Sequence, residues 1–500
     1  MTPLADLVRR GRLAEGHRPW PRAVVEAGLW GEAIDALVDG RVQLAGLWAD
    51  GSVAHLALRQ AEPSSLAVLS LACAGGGYPS IGARHAPAIR LERAIFDLWG
   101  LRAEGAEDRR PWLDHGRWGP RHPSGKSQPG PASEPYGFLP AEGDSLHQIA
   151  VGPVHAGIIE PGHFRFNVNG ETVVRLEARL GYLHRGLESL MVGAAPEDAA
   201  RFAGRASGDS TVAYAIAFAR AVEAAEQAPA PDRADWLRAL MAELERVANH
   251  LGDIGAVCND ASFSLMHAHC AILREQALRA CDAAFGHRLM MDRVVPGGVA
   301  ADLAPEGGRA IGAAVKAIGA RLPLLVELYD NTASLQDRTV GAGTVAPDLA
   351  RRFAAGGFVG RASGATFDAR RQFAGPPYDQ LAFDVPTRLD GDVNARVWIR
   401  IDELRQSLSL IDQLLAGLPA GEVRRGLPGG SGEGLALVEG FRGDVLAWVR
   451  LEDGRVRRCH LRDPSWFQWP MLEACIEGNI VADFPLCNKS FNCSYAGCDL

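Results

Sequence analysis

No basic excess marks this 500-residue chain: 52 lysines and arginines stand against 60 acidic residues, a formal charge of -8. Nucleic acid, which calls for a concentrated basic face, is therefore not an expected partner. No G-x-G-x-x-G fingerprint follows a strand-like stretch, so any nicotinamide chemistry belongs on another chain. No run of four closely spaced cysteines exists, so this chain is not expected to hold an iron-sulfur cluster itself. The charge-free stretch from Pro63 to Ala83 is broken by prolines, serines and Gly75–Gly77. Its apolar part, Leu66 to Ala74, is too short to cross a bilayer and reads as a buried strand followed by a turn. Any membrane anchor must then come from other subunits. The first residues carry Asp6 and Glu15 and no apolar core segment, which does not suit a secretory signal, and the cysteines are expected to be reduced.

Five hundred residues with 47% hydrophobic content exceed one ordinary core, which favours two or three domains. Residues 1–118 read as a small α/β unit. Val42–Trp48 and Val53–Leu58 are strand-like around the turn Ala49–Ser52, Leu66–Cys73 is a third strand, and Arg90–Trp99 is an amphipathic helix stopped by Gly100. Residues 119–148 are rich in Pro, Gly and Ser and poor in aliphatic periodicity, the composition of a linker. Residues 149–500 form the larger unit. It opens with a hairpin at Asn169-Gly170 and continues into helices over Ala213–Ala228, Arg233–Cys258, Ala271–Met290 and Arg396–Leu418, before strands return from Gly434 and an irregular tail follows. In the second of these helices Leu237, Leu240, Leu244, Val247 and Leu251 make an apolar stripe, with Arg238, Glu245 and Arg246 pointing elsewhere. The fold class is α+β: a small N-terminal α/β domain plus a larger domain with a long-helix bundle core and peripheral β-hairpins.

The larger unit carries, in order, Gly152-Pro-Val-His155, Leu183-His-Arg-Gly-Leu-Glu188, Glu243-Leu-Glu-Arg-Val-Ala-Asn-His-Leu251, Pro296-Gly-Gly-Val299, Arg361-Ala-Ser-Gly364, Glu439-Gly-Phe-Arg-Gly443, Asp463-Pro-Ser465 and Asp499. With these eight landmarks it resembles the large subunits of membrane-bound [NiFe] hydrogenases, including the formate hydrogenlyase type, and the quinone-facing core subunit of respiratory complex I. Residues 1–118, through Tyr78-Pro-Ser80 and Glu92–Gly100, resemble the smaller complex I partner that is fused ahead of this subunit in formate hydrogenlyase-type enzymes. The resemblance implies an oxidoreductase subunit at the cytoplasmic face of a membrane, attached peripherally. Its implied partners are an iron-sulfur small subunit and integral-membrane antiporter-like subunits.

Hydrogenases of this family hold nickel and iron through an R-x-C-G-x-C segment and a C-terminal D-P-C-x-x-C. At the first of these the chain has Arg201-Phe-Ala203-Gly-Arg-Ala206, and at the second the resemblance places Ser494 and Gly497. The tail cysteines Cys487, Cys493 and Cys498 are separated by five and four residues, a spacing unsuited to one chelated ion. No metal is therefore expected at this chain, and no cofactor bound firmly by it. Ala203, Ala206, Asp209, Ser494 and Gly497 instead mark an emptied cavity. The resemblance to complex I then makes a quinone the candidate occupant, with His163, His155 and Asp253 as candidate catalytic residues. Two other readings stand beside this one: an active [NiFe] hydrogenase with unusual ligands, and a scaffold without redox chemistry that couples to ion-translocating subunits.

Blander roles are assigned elsewhere. His184 and Arg185 brace an interface, His250 is a satisfied core histidine, and Cys258, Cys270 and Cys281 are small core residues. Asp209 is read as a helix cap in preference to a proton relay, and Cys459-His460 as a surface pair.

Overall fold

The computed structural model describes residues 3–500 except 131–134, 144, 158 and 374. Near the N-terminus a five-stranded sheet runs in the order Arg12–Leu13, Arg22–Val25, Ser65–Ala72, Val53–Gln60, Gln43–Asp50, with helices Pro3–Arg10, Ala27–Val38 and Ile89–Trp99 packed around it. Both expected strands and the charge-free third are there, and Gly100 ends its helix with φ 73°. The strands read as nearly continuous apolar runs because both faces are covered. Ala54, Leu56, Leu58, Ala67 and Leu69 face the main core, whereas Ala57, Leu66 and Val68 join Phe367, Leu435, Leu446 and Trp448 from the larger unit. The sheet is therefore clamped from behind by the C-terminal meander, strands Gly432–Gly440, Gly443–Glu452 and Arg455–Arg462. That meander gains a fourth, parallel strand from His17–Arg18.

The linker-like composition of 119–148 does not make a free tether where it is described. Pro120–Arg121 pairs with Gln128–Pro129, and His147–Val151 is the outer strand of a three-stranded sheet with His163–Asn169 and Thr172–Arg179. Between them Tyr136 accepts a hydrogen bond from Arg93 and donates one to Glu177, and the Leu139 N–H also reaches Glu177. Polar anchors replace the aliphatic contacts that this composition cannot supply.

Five long helices, Thr211–Glu226, Asp232–Asp260, Ser264–Phe285, Pro305–Asp330 and Val393–Gly417, fill the centre. Asp232–Asp260 departs from its simple amphipathic pattern. Arg238, Glu245 and Arg246, expected away from the core, are only 1, 7 and 1% exposed. Neighbours surround this helix, so its charges must be paired inside the protein. Glu243, Arg246, His250 and Asp253 line one face, opposite Arg396, Arg400, Glu403 and Ser407 of Val393–Gly417. The contacts run Glu243–Ser407, His250–Glu403 and Asp253–Arg400, so the two helices are antiparallel. Arg361 enters the seam between them with bonds of 2.7 Å to Glu403 and 3.0 Å to Glu439. Burial alone would raise the Glu403 carboxyl; Arg361 and His250 override it and hold the group well below its ordinary range. The tail, expected to be irregular, is helical over Ser465–Cys475, Phe484–Phe491 and Ala496–Asp499.

Candidate functional site

The first motif segment and the C-terminal tail meet. Ser207, directly after Ala206, lies 2.8 Å from Ser494, oxygen to oxygen, and Ser494 accepts the Gly497 N–H at 2.9 Å. Beside them is a cleft of about 350 Å³ whose walls include Glu160, Ser207, Asp209, Arg442, Lys489, Asn492, Cys493, Ser494 and Tyr495. Four parts of the sequence build it: the segment at Glu160, the turn before helix Thr211–Glu226, the tip of the meander's first hairpin, and the end of Phe484–Phe491, where Asn492 turns the chain left-handed at φ 46°. Such a conformation suits asparagine better than most side chains.

Asp209 anchors the cleft. Arg442 grips both of its carboxylate oxygens, and Ser207 donates to it at 2.9 Å. Burial works against this charge, but Arg442 overrides it and holds the carboxyl below its ordinary range. The helix-cap role expected for Asp209 belongs instead to Glu245, which accepts the N–H groups of Val212 and Ala213 at 2.7 and 3.1 Å. Asp209 lies just outside that helix, whereas Glu245 reaches its open N–H groups from the neighbouring one.

Tyr495 brings a histidine to the cleft: its hydroxyl lies 3.2 Å from His155 Nε2. Burial raises the phenol well above its usual range, so it keeps its proton. His163 does not line the cleft. It sits where the hairpin begins, with Phe138 at 5.2 Å and Arg165 donating to its Nε2 at 3.4 Å, and burial lowers its pKa. Asp253 lies behind the cleft, bonded to Arg400 at 3.0 Å and to Asn492 at 2.9 Å. Asn492 thus joins the cleft to the buried seam.

The thiolate positions do not fit a nickel-iron centre. Ala203 and Ala206 are wholly buried and offer no donor atom. At Gly497 a Cβ would fall 2.4 Å from Asp463 Oδ2, a carboxylate already held by the Tyr214 hydroxyl at 2.6 Å. Cys487, Cys493 and Cys498 are buried and free, and burial pushes their thiols up, so they are protonated at neutral pH. Among the described residues no group of three His, Cys, Asp or Glu side chains could hold a metal ion.

Other expected roles divide. His184 and Arg185 make local structural contacts, not an interface between the units in these bonds: His184 Nδ1 meets the Asp499 carbonyl at 2.7 Å and the Arg185 backbone N–H donates to the Leu500 carbonyl. His250 is a core histidine bonded to Glu403 at 2.7 Å. Cys459 and His460 are not at the surface: both are buried on a meander strand, with His460 2.9 Å from Glu188, because the first unit's sheet covers that strand. Arg442, Tyr495 and Glu245 went unassigned in the sequence. For Arg442 the signal was its place in Glu439-Gly-Phe-Arg-Gly443; for Tyr495, its position next to Ser494.

Comparison with known proteins decides the family. Residues 185–252 match the nickel-dependent hydrogenase family, and residues 260–429 match the respiratory-chain NADH dehydrogenase 49 kDa subunit family. Formate hydrogenlyase subunit 5 of Escherichia coli (strain K12) is 30% identical over 84% of this chain and 77% of its own. An NADH-quinone oxidoreductase subunit of Dehalococcoides mccartyi is 31% identical over 67% of this chain and 93% of its own. The chain belongs to this family of hydrogenase and NADH-quinone oxidoreductase subunits. Like those relatives it is an oxidoreductase component. A chain of the membrane-bound sulfane sulfur reductase, an archaeal respiratory membrane complex, superposes with a TM-score of 0.67 at 26% identity, covering 71% of this chain and 98% of that one. Among the described residues no helix is long and apolar enough to cross a membrane.

Proposed function

We propose that this chain is a peripheral subunit on the cytoplasmic face of a membrane-bound respiratory complex, taking electrons from an iron-sulfur partner and passing them to a quinone or another small acceptor in the cleft. It does so without a nickel-iron centre of its own, and integral-membrane antiporter-like subunits supply the anchor. One observation supports this reading: Ser207, next to Ala206, is hydrogen-bonded to Ser494, so the two segments that the resemblance matches to the thiolate motifs are joined by hydroxyls beside an open, polar cleft.

Reduction of a quinone takes two electrons and two protons and gives the quinol. The electrons come from the partner's cluster. Tyr495, kept protonated and bonded to His155, is placed to donate one proton to a carbonyl oxygen and to recover it through the imidazole. The Asp209–Arg442 pair fixes the charge of the opposite wall, and Asp253 steadies Asn492 from behind. The second proton enters from the solvent side of the open cleft.

The test uses the purified complex. Nickel below about a tenth of an equivalent per chain is expected, since a resident centre would be near stoichiometric. Tyr495→Phe and His155→Gln should each lower acceptor reduction by about 100-fold, the low end for a positioned proton donor. Stoichiometric nickel with hydrogen-dependent dye reduction would mean a hydrogenase. Unchanged acceptor reduction in both variants would mean a scaffold.

A further inference from the structure

A second cavity, of about 240 Å³, lies where the first unit's sheet meets the short helices and turns of residues 347–372, and it shares no residue with the cleft. Arg59, on the strand Val53–Gln60, forms part of its wall together with Arg351, Ser363, Phe367 and Gln372. Arg59 is 3% exposed, and its Nη2 donates to the Ala354 carbonyl at 2.9 Å. Its Nε and Nη1 are buried and have no hydrogen-bond partner among the described residues. The nearest carboxylate, Asp444, is 3.8 Å from Nη1 and is already bonded to Arg462 at 2.5 Å. Ser363 Oγ, in a residue 2% exposed, and Gln372 Oε1 are likewise buried and have no hydrogen-bond partner among the described residues. Native interiors leave very few such groups unpaired, and four atoms around one cavity are a concentration that a ligand would resolve.

We propose that this cavity binds a small phosphate-type oxyanion at the joint between the two units. Arg59 and Ser363 supply donors to its oxygens, and a guanidinium suits such a group in charge and geometry. The Gln372 amide can turn its carbonyl to a P–OH or its NH₂ to an oxygen. Arg351, exposed and paired among the described residues with one carboxylate, Asp348, adds positive potential at the rim. The volume equals roughly eight waters' share of the liquid, below the range of drug-sized ligands. It admits a phosphate with a few waters, or a short phosphate monoester. Because Arg59 belongs to one unit and Ser363 and Gln372 to the other, the bound anion ties the two together.

The experiment titrates the full chain with inorganic phosphate at constant ionic strength, with chloride as the balancing salt, by calorimetry and thermal unfolding. One-to-one binding is expected, with an unfolding temperature that rises with phosphate and not with chloride. Ser363→Ala and Gln372→Leu should each weaken binding by roughly fivefold or more, the loss of one hydrogen bond, and Arg59→Met should abolish it. If Arg59→Met fails to fold, the other two variants carry the test. Glycerol phosphate binding more tightly than phosphate assigns the ligand as a monoester; weaker binding assigns the free ion. No heat with either ligand, an equal shift in chloride, or wild-type affinity in both Ser363→Ala and Gln372→Leu would overturn the proposal.

Discussion

Glu245 tests how this fold treats buried charge. Its side chain is 7% exposed and accepts the N–H groups that open helix Thr211–Glu226. Burial pushes its carboxyl from an ordinary 4.5 up to about 8, the two backbone donors pulling the other way and the charge of Asp209 adding to the rise. Because the folded value is the higher one, the stability linked to this proton is complete below pH 4.5 and is lost as pH rises through 8. At about 1.4 kcal/mol per pH unit the interval amounts to roughly 5 kcal/mol, an upper bound that local relaxation reduces to about 2 to 3. Glu245→Gln keeps the shape and a neutral acceptor. The variant should match the wild type within about 0.5 kcal/mol at pH 4, and exceed it by about 2 kcal/mol near pH 8.5. Urea unfolding followed by tryptophan fluorescence at the two pH values measures this difference. A variant equally destabilised at both would show that the helix start holds the ionised carboxylate, and the burial argument would fail. The consequence for function is local: a protonated Glu245 spares Asp209 a second negative charge beneath the cleft.

Asp253→Asn leaves the fully buried Arg400 without its carboxylate and should cost about 3 kcal/mol in the same assay; a loss below about 0.5 kcal/mol would mean that the Ser490 carbonyl suffices. Gly497→Ala drives a methyl against Asp463 and should destabilise by about 1 to 3 kcal/mol, while a fourfold cysteine variant at 203, 206, 494 and 497 should bind no stoichiometric nickel; unimpaired folding with bound nickel would refute the fit argument. Single and paired alanine substitutions of Ser207 and Ser494 should show a coupling near 1 kcal/mol; additive losses would deny their hydrogen bond a role in closing the site. The nine buried thiols should resist iodoacetamide at pH 7.5 until the chain is denatured, and modification of native Cys493 would show that the cleft opens further than its geometry suggests.

Many periodic and punctuated elements were legible in the sequence. Strand Ser65–Ala72, the Gly100 stop and the Asn169-Gly170 turn follow from local chemistry, and four of the five long helices follow from their apolar spacing, whereas Pro305–Asp330 went unread. Their ends moved by a few residues, and the last central helix before residue 290 shifted as a whole, to Ser264–Phe285. The readings that failed concern exposure. Arg238, Arg246 and His460 looked solvent-facing because they are polar, yet they are buried among partners distant in sequence. Likewise the strap Tyr136–Leu139 is ordered by Arg93 and Glu177, which no local pattern links to it.

By itself the sequence determined what the site cannot offer: alanine at 203 and 206, serine at 494 and glycine at 497 carry no thiolate, whatever the fold. It also determined the order of landmarks that marks the family. Only the tertiary structure decided that His155, through Tyr495, reaches the cleft while His163 does not, that Arg442 holds Asp209, and that Asp463 fills the space beside Gly497. The reason is physical. Whether an atom can ligate is a property of its own side chain, but which charges meet inside a protein depends on how distant segments pack and exclude water.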